Sequence, residues 1–299
     1  MVNGESGRIR VTKDGVPSSS PARISGRRLE TIAARLGERD RTVLGLVDRL
    51  RFAAATTLHV LADDARQAPS PSERSTRRTV GKLTKLGLVT PLPRRVGGLR
   101  SGSSGLVVHL TNAGDRLLRQ WHGRTERRRY SEPSTRFVQH CLDIGDALVR
   151  LTTGLPAYGV TLVCWQAEPA SWRRHQRAAS LATLKPDLYV EVARGEDVWG
   201  YFVEIDRGSE SIPTVLRQMA AYEDYRRTGV EQERYGAFPP VVVALYPGMR
   251  TAPAVRAEQL AAALRRDRQI PAQLVHVTDA EGLTATVAGL CDPAEEVQP

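Results

Sequence analysis

The hydrophobic pattern of residues 38–122 predicts a small helical bundle followed by a β-hairpin. Apolar residues recur at the spacing of one helical face in three successive segments, which predicts helices over 40–50, 55–62 and 72–86. Asp40 is the candidate N-cap of the first helix, and Gly87 ends the third. Two extended apolar runs follow, at 88–92 and 106–110, and Thr111 is positioned to cap a closing helix.

The third predicted helix has an apolar side and a basic side. At about 100° per residue, Val80, Leu83 and Leu86 fall on one stripe, which we expect to face the core. The cationic residues lie on the opposite side or on its flanks: Arg74, Arg77, Arg78, Lys82 and Lys85. Such a stripe is most often a solvated surface, and contact with DNA is the alternative that a basic neighbourhood favours.

The pattern changes beyond Gly154 to short β-rich runs alternating with helices. Strands are predicted over 160–165, 187–192, 199–205, 241–246 and 274–277, and helices over 136–151, 212–227 and 254–266. This alternation is typical of a mixed α/β sheet covered by helices, so we expect an α/β domain here and an α+β protein overall.

A length of 299 residues is enough for two domains with separate cores. We expect a DNA-binding domain and an α/β domain, joined by a basic linker and flanked by a disordered basic arm and a disordered tail. In chain order the predicted boundaries are 1–37 for the arm, 38–122 for the first domain, 123–135 for the linker, 136–290 for the second domain and 291–299 for the tail.

Charge is segregated along the chain. Residues 1–136 hold 27 Lys and Arg against 12 Asp and Glu, a balance of +15, whereas residues 137–299 hold 16 against 21, a balance of −5. A concentrated positive charge attracts polyanions, and counterion release gives affinity for DNA whatever its sequence. Double-stranded DNA is therefore the expected partner.

Several classes of protein are disfavoured by what the sequence lacks. The polar residues 1–10 do not resemble a secretion signal, and no apolar run approaches the roughly 20 residues needed to cross a bilayer, so we expect a cytoplasmic protein. The 3 cysteines are far apart, which argues against a disulfide framework or a zinc site. Motifs of P-loop NTPases, zincins and α/β-hydrolases are also missing.

The element order of residues 39–119, with L-T-N-A-G-D-R-L-L at its end, resembles a winged helix-turn-helix. The resemblance implies that the helix over 72–86 enters the major groove and that the hairpin loop lies along the backbone. It assigns base contacts to Arg74, Arg77 and Arg78, further DNA contacts to Lys82 and Lys85, and phosphate contacts to the loop residues Arg94, Arg95 and Arg100. It also suggests a homodimer on a palindromic site.

Three carboxylates stand at informative places in the second half. Asp187 opens one predicted strand and Glu204 and Asp206 close the next, where alternation puts the last two on one face. We expect all three to converge at one end of the sheet, where Mg²⁺, or Mn²⁺ in its place, would neutralise them and activate water. Strand-end acids facing solvent are the alternative.

This constellation resembles the PD-(D/E)xK nuclease superfamily, which has the restriction-endonuclease-like fold. Pro186, Asp187 and Glu204 match its motif, and Asp206 occupies the place of the lysine that would help activate water. Gln218 and Tyr222 match a Q-x-x-x-Y helix of some members, so the resemblance adds them to the candidate catalytic residues. Glu168 is a weaker candidate ligand.

Over residues 39–280 the chain resembles the replication-relaxation family of actinobacterial and plasmid-borne proteins. The segment E-I-D-R-G-S-E-S, which begins at Glu204, is the most specific part of the match. The resemblance implies a role in plasmid or mobile-element replication, relaxation or mobilisation, together with other proteins of those processes. Two functions stay open: a Mg²⁺-dependent endodeoxyribonuclease, and a non-catalytic transcription or replication regulator with a degenerate nuclease-fold dimerisation domain.

Overall fold

A computed structural model of the protein describes residues 24–64, 73–92, 105–126, 133–177, 180–248 and 251–291. Within these ranges the chain forms a mixed α/β structure, as the sequence predicts. None of the helices described is both long enough and apolar enough to cross a membrane.

The first unit contains five helices and a small antiparallel sheet with the strand order β1-β3-β2. In chain order its elements are α1 (Gly26–Ala34), α2 (Glu38–Leu50), β1 (Phe52–Ala54), α3 (Ala55–Asp64), α4 (Glu73–Lys85), β2 (Val89–Pro91), β3 (Val107–Leu110) and α5 (Asn112–His122). The three predicted helices, both predicted strands and the closing helix are all present. The strand β1, between α2 and α3, was not predicted.

The ends of two helices show how the local sequence sets them. Thr111 caps α5, as predicted, because its hydroxyl accepts a hydrogen bond from the Gly114 amide at 3.2 Å. The predicted cap of α2 was wrong by one turn: Gly37 is the N-cap, and the Asp40 carboxylate reaches back to accept from the Gly37 amide at 2.9 Å.

The prediction of a disordered arm over residues 1–37 was also wrong in its second part. Residues 26–34 form α1, whose buried Leu29 and Ile32 join the core and whose N-cap is Ser25. The mixed composition of the arm did not indicate this amphipathic helix of about two and a half turns. Residues 1–23 of the predicted arm and 292–299 of the predicted tail lie outside the residues that the structure describes.

The second unit is a five-stranded mixed sheet with helices on both faces. Its strand order is β10-β9-β8-β7-β4, with β8, β9 and β10 parallel and β7 antiparallel to both of its neighbours. A separate hairpin, β5-β6, stands beside it. The elements are α6 (Thr135–Gly154), β4 (Thr161–Ala167), β5 (Arg173–Arg177), β6 (Ser180–Leu184), β7 (Leu188–Arg194), β8 (Asp197–Asp206), α7 (Ile212–Arg226), α8 (Val230–Tyr235), β9 (Val241–Leu245), α9 (Pro253–Arg266), β10 (Val275–Asp279) and α10 (Leu283–Gly289).

The sheet separates two apolar layers. On one face, alternate residues of β7 and β8 pack with α6 and α10, and on the other, α7 and α9 cover Phe202 and its neighbours. The first layer also includes the core of the N-terminal unit, because α6 packs against α3 and β1 as well as against the sheet. The two units therefore share one hydrophobic core, in which α6 is the central element.

Candidate functional site

The outer side of α4 is basic, as the helical pattern predicts. Thr76, Thr79, Val80 and Leu83 are buried against the bundle. The five cationic residues are exposed: Arg74, Arg77, Arg78, Lys82 and Lys85. The helix is therefore held by one face and presents the other to solvent.

Two of the five cations are already engaged within the protein. Arg77 pairs with Glu73 one turn earlier at 2.7 Å, and Lys82 bridges to α2 through the Asp40 carboxylate and the Arg35 carbonyl. In the ranges that the structure describes, Arg74, Arg78 and Lys85 form no ion pair. Arg94, Arg95 and Arg100, assigned to phosphates from the sequence, lie outside those ranges.

Two of the three predicted carboxylates do meet. Asp187 stands immediately before β7, and β7 pairs with β8 so that Leu188 faces Val203. This register places Asp187 beside the end of β8, where its Oδ2 accepts a hydrogen bond from the Ile205 amide at 2.8 Å. Glu204, one residue before, is close enough for its carboxyl to hydrogen-bond with that of Asp187.

Asp206 lines the same cavity as this pair, but its oxygens are bound to other groups. Asp206 lies on the same face of β8 as Glu204, but its two oxygens are taken by the Gly208 amide at 2.7 Å and by the buried Arg256 guanidinium at 2.7 Å. Arg256, which α9 brings to this edge, was missed because it is distant in sequence. Among the residues that the structure describes, no group of three or more His, Cys, Asp or Glu is arranged to hold a metal ion.

Burial and the neighbouring Asp187 favour the neutral form of Glu204. Burial raises the pKa of Glu204 well above its usual range, and the negative charge of Asp187 adds to this effect. The Tyr222 hydroxyl, buried on α7, donates a hydrogen bond to Glu204 and opposes the rise only in part. Burial and the Glu204 charge in turn raise the pKa of Tyr222. The surroundings of Glu204 therefore favour its protonated form more than water does.

His140 is a site residue that the sequence analysis did not select. Its Nε2 lies 3.0 Å from Asp187 Oδ1, the oxygen that does not accept from the Ile205 amide. Burial lowers the pKa of His140, but the hydrogen bond to Asp187 and the charges of Asp187, Glu168 and Asp143 outweigh burial, so the pKa of His140 is raised overall. Glu168, the weakest sequence candidate, thus lies within electrostatic range of the pair and forms a 3.6 Å contact with Arg51 of the first unit.

The acid pair borders a cavity of about 480 Å³ at the end of the sheet. Its lining includes Asp187, Glu204, His140, Arg136 and Gln218. Gln218 and Tyr222 lie one turn apart on α7 and both line the space around Glu204, as their spacing predicts. The amide of Gln218 donates to Glu210 at 2.8 Å.

The residues of this site fit a divalent cation only in part. Asp187 and Glu204 offer the carboxylate oxygens that Mg²⁺ prefers. Their oxygens are, however, paired with His140, Ile205 and Tyr222, and Asp206 is neutralised by Arg256. The predicted three-carboxylate ligand set is therefore not formed in this arrangement.

Comparisons with known proteins found similar solved structures and one matching family model. Two similar solved structures are of restriction endonuclease FokI. The first has 11% sequence identity and a TM-score of 0.25, and the match covers 84% of this chain and 43% of that chain. The second, bound to DNA, has 9% identity and a TM-score of 0.24, and the match covers 84% of this chain and 44% of that chain. The chain thus spans less than half the length of either. No curated protein matches it. The Replication-relaxation family model matches residues 44–241, about two thirds of the sequence, and the chain belongs to that family.

Proposed function

We propose that this protein binds double-stranded DNA through the outer face of α4. The observation that supports the proposal is the set of three exposed cations on that face, Arg74, Arg78 and Lys85, which have no ion pair in the part of the chain that the structure describes. An unpaired cation on a solvated helix can exchange its counterions for DNA phosphates without first breaking a contact within the protein.

The position of α4 agrees with this role. It follows α2 and α3 and precedes the β2-β3 hairpin, the order in which a winged helix presents its recognition helix. Arg74 and Arg78 lie in the first half of α4, and it is the N-terminal part of a recognition helix that reaches base edges. Lys85, at the other end, is placed to contact a phosphate.

A comparison of two triple variants tests the proposal. In the first, Arg74, Arg78 and Lys85 become alanine. In the matched control, three exposed arginines at the end of α9 become alanine, which removes the same charge from the second unit: Arg265, Arg266 and Arg268. Affinity for a labelled mixed-sequence duplex is measured by fluorescence anisotropy at several salt concentrations.

The α4 variant should bind at least about tenfold more weakly at moderate salt, and the slope of log K against log salt should fall by about 1 for each phosphate contact that is lost. The α9 variant should change the affinity by less than about twofold, the effect of net charge alone. Equal effects of the two variants, or no effect of the first, would refute the assignment to α4.

We propose further that DNA binding serves replication, relaxation or mobilisation of a plasmid or mobile element. The support is the family assignment, whose name refers to replication and relaxation. A homodimer and contacts with replication or mobilisation proteins belong to the same proposal. Sedimentation of the free protein and of its complex with duplex DNA would establish the number of copies bound.

Strand cleavage is a second candidate function, and the pairing of Asp187 with Glu204 at a cavity favours it. Two carboxyls held together with a histidine are an arrangement that acid-base chemistry and cation binding both use. Against this, Asp206 is engaged by Arg256 and stands where a lysine is expected.

Incubation of supercoiled plasmid with Mg²⁺ or Mn²⁺ tests cleavage directly. Nicked or linear product from the wild type and from Glu196→Gln, an exposed acid in the β7-β8 turn, but not from Glu204→Gln, would establish cleavage at this site. Equal inactivity of all three proteins would favour a non-catalytic regulator built on the same scaffold.

A further inference from the structure

A second cavity lies on the other side of Glu204, between the β5-β6 hairpin and α7. It measures about 270 Å³. Its polar lining consists of His175 on β5, Thr183 on β6, Lys185 and, from the sheet and α7, Glu204, Gln218, Tyr222 and Asp224. The β5-β6 hairpin that forms one wall was not predicted from the sequence.

His175 has a buried nitrogen that no described residue satisfies. The residue is 8% exposed, and its ring packs against Tyr225 with the centroids 4.8 Å apart. Its Nδ1 has no hydrogen-bond partner among the residues that the structure describes. Buried polar atoms are nearly always paired, so an unpaired one in a cavity wall indicates a position that a ligand or water fills.

Lys185 brings a positive charge to the mouth of the same cavity. Its side chain is exposed, and its ammonium stands 4.9 Å from the centroid of the Trp172 ring. It forms no salt bridge in the described ranges. The Trp172 contact holds the ammonium near the cavity while leaving its three N–H donors available to an anion.

The two cavities adjoin at the acid pair. Glu204 and Gln218 line both of them, with Lys185 on one side and Arg136 and His140 on the other. Lys185 in one cavity and Arg136 in the other place a positive charge on each side of Glu204, so that successive phosphates of a DNA strand passing across it can each meet one.

We propose that the cavity beside Lys185 holds one unpaired nucleotide of a DNA strand, with a phosphate at Lys185 and the base against His175 and Gln218. Its volume of about 270 Å³ is just below the roughly 300 to 1,000 Å³ of ligand pockets. It therefore admits a single nucleotide and excludes a base pair. An extruded or terminal nucleotide is read in this way by hydrogen bonds to its edge and by neighbouring rings.

This inference rests on the proposed DNA-binding function, but its test uses a different ligand. Affinity for a short fluorescent oligo(dT) is measured in the variant whose α4 cations are alanine, so that the duplex-binding face does not contribute. Lys185→Gln and His175→Phe are then added singly, the second retaining a ring against Tyr225. Arg234→Gln is the matched control, because Arg234 is also an exposed cation over a ring, at 5.0 Å from Tyr235.

Lys185→Gln and His175→Phe should each weaken oligo(dT) binding by about fivefold or more, the loss expected for one nucleotide contact, while Arg234→Gln changes it by less than about twofold. In a wild-type α4 background, both substitutions should leave duplex affinity unchanged. Equal effects of Lys185→Gln and Arg234→Gln, or a loss with Lys185→Gln alone and none with His175→Phe, would overturn the inference. If the α4 variant still bound duplex DNA, the proposed function of α4 would be refuted. The oligo(dT) comparison of Lys185→Gln, His175→Phe and Arg234→Gln would still test the nucleotide site.

Discussion

Two acids on one strand show how strongly the surroundings decide a side chain's chemistry. Glu204 and Asp206 lie two positions apart on the same face of β8, and sequence alternation alone treats them as equivalent. Arg256 reaches Asp206 from α9 and makes it half of a buried ion pair. No cation reaches Glu204 among the residues described. Its polar neighbours are Tyr222 and the negatively charged Asp187. The surroundings of Glu204 therefore favour a neutral acid, whereas Asp206 is one half of an ion pair.

The raised pKa of Glu204 predicts a pH dependence of stability. In the folded protein burial and the Asp187 charge favour the protonated acid, whereas in the unfolded chain Glu204 ionises at its ordinary pKa. Between these two pKa values the native state binds more protons, so stability falls as the pH rises through that interval. Glu204→Gln keeps the neutral shape and removes the titration. We therefore expect its stability to gain on that of the wild type as the pH rises from the ordinary pKa of Glu204 towards neutral pH.

The measurement is urea denaturation of both proteins across this pH range. His140 has a raised pKa as well, and its contribution is likewise lost as the pH rises, so the wild-type curve alone does not isolate Glu204. The difference between the wild-type and Glu204→Gln curves isolates the contribution of Glu204. A difference that is constant with pH would show that Glu204 is ionised in the native protein.

At the scale of elements, periodicity in the sequence predicted most of the regular structure. The strands of the central sheet and the helices α4, α6, α7 and α9 were each placed to within a few residues, because their apolar spacing is long and regular. The elements that were missed are short or depend on partners elsewhere: α1, β1, the β5-β6 hairpin, α8 and α10.

The residues of the candidate site divide in the same way. Asp187, Glu204, Gln218 and Tyr222 follow from local motifs, whereas His140, Lys185 and Arg256 join them only through tertiary packing.

A substitution at Gly114 tests how closely α5 packs on the chain at β2. A Cβ at this position would lie 2.1 Å from the Leu88 carbonyl oxygen, which is a backbone atom at the start of β2 and cannot move aside cheaply. We expect Gly114→Ala to lower the free energy of unfolding by about 2–3 kcal/mol through this overpacking. The measurement is chemical denaturation followed by circular dichroism.

Gly45 provides the matched control for this substitution. It lies within α2, and no atom comes within 4 Å of the Cβ that alanine would add. Gly45→Ala should therefore stabilise the protein by about 0.5–1 kcal/mol, the ordinary difference in helix propensity. If both substitutions stabilised the protein, α5 would not lie against β2 as closely as the structure has it.

At the scale of the whole molecule, the sequence suggested two units with a basic connector, and the structure packs them into one core. The helix α6 contacts α3 and β1 on one side and the sheet on the other. Arg51, at the end of α2, reaches Glu168 beside the acid pair and places its guanidinium 5.3 Å from the Phe137 ring. Composition and charge differ between the halves, but neither reveals which apolar faces meet, so the shared core could not be predicted.

Because the core is shared, we expect the two units to unfold together. Arg49 of α2 strengthens the junction: its guanidinium lies 3.3 Å from the centroid of the Trp165 ring and donates to the Trp165 carbonyl on β4. Arg49→Ala should lower the free energy of unfolding by about 1 kcal/mol. Arg41→Ala, on the same helix but over Trp121 of its own unit at 5.3 Å, should cost less than about 0.5 kcal/mol.

The loss of unfolding free energy in Arg49→Ala should have the same size whichever spectroscopic probe follows unfolding. Circular dichroism reports mainly the helices of both units, and three of the four tryptophans, Trp165, Trp172 and Trp199, report the second. In a two-state protein the denaturation curves from the two probes coincide. Arg49→Ala should shift both curves by the same amount. Curves that separate, in the wild type or in this variant, would mean that the N-terminal unit and the unit that contains the acid pair fold independently, and that Arg51 and α6 do not couple them.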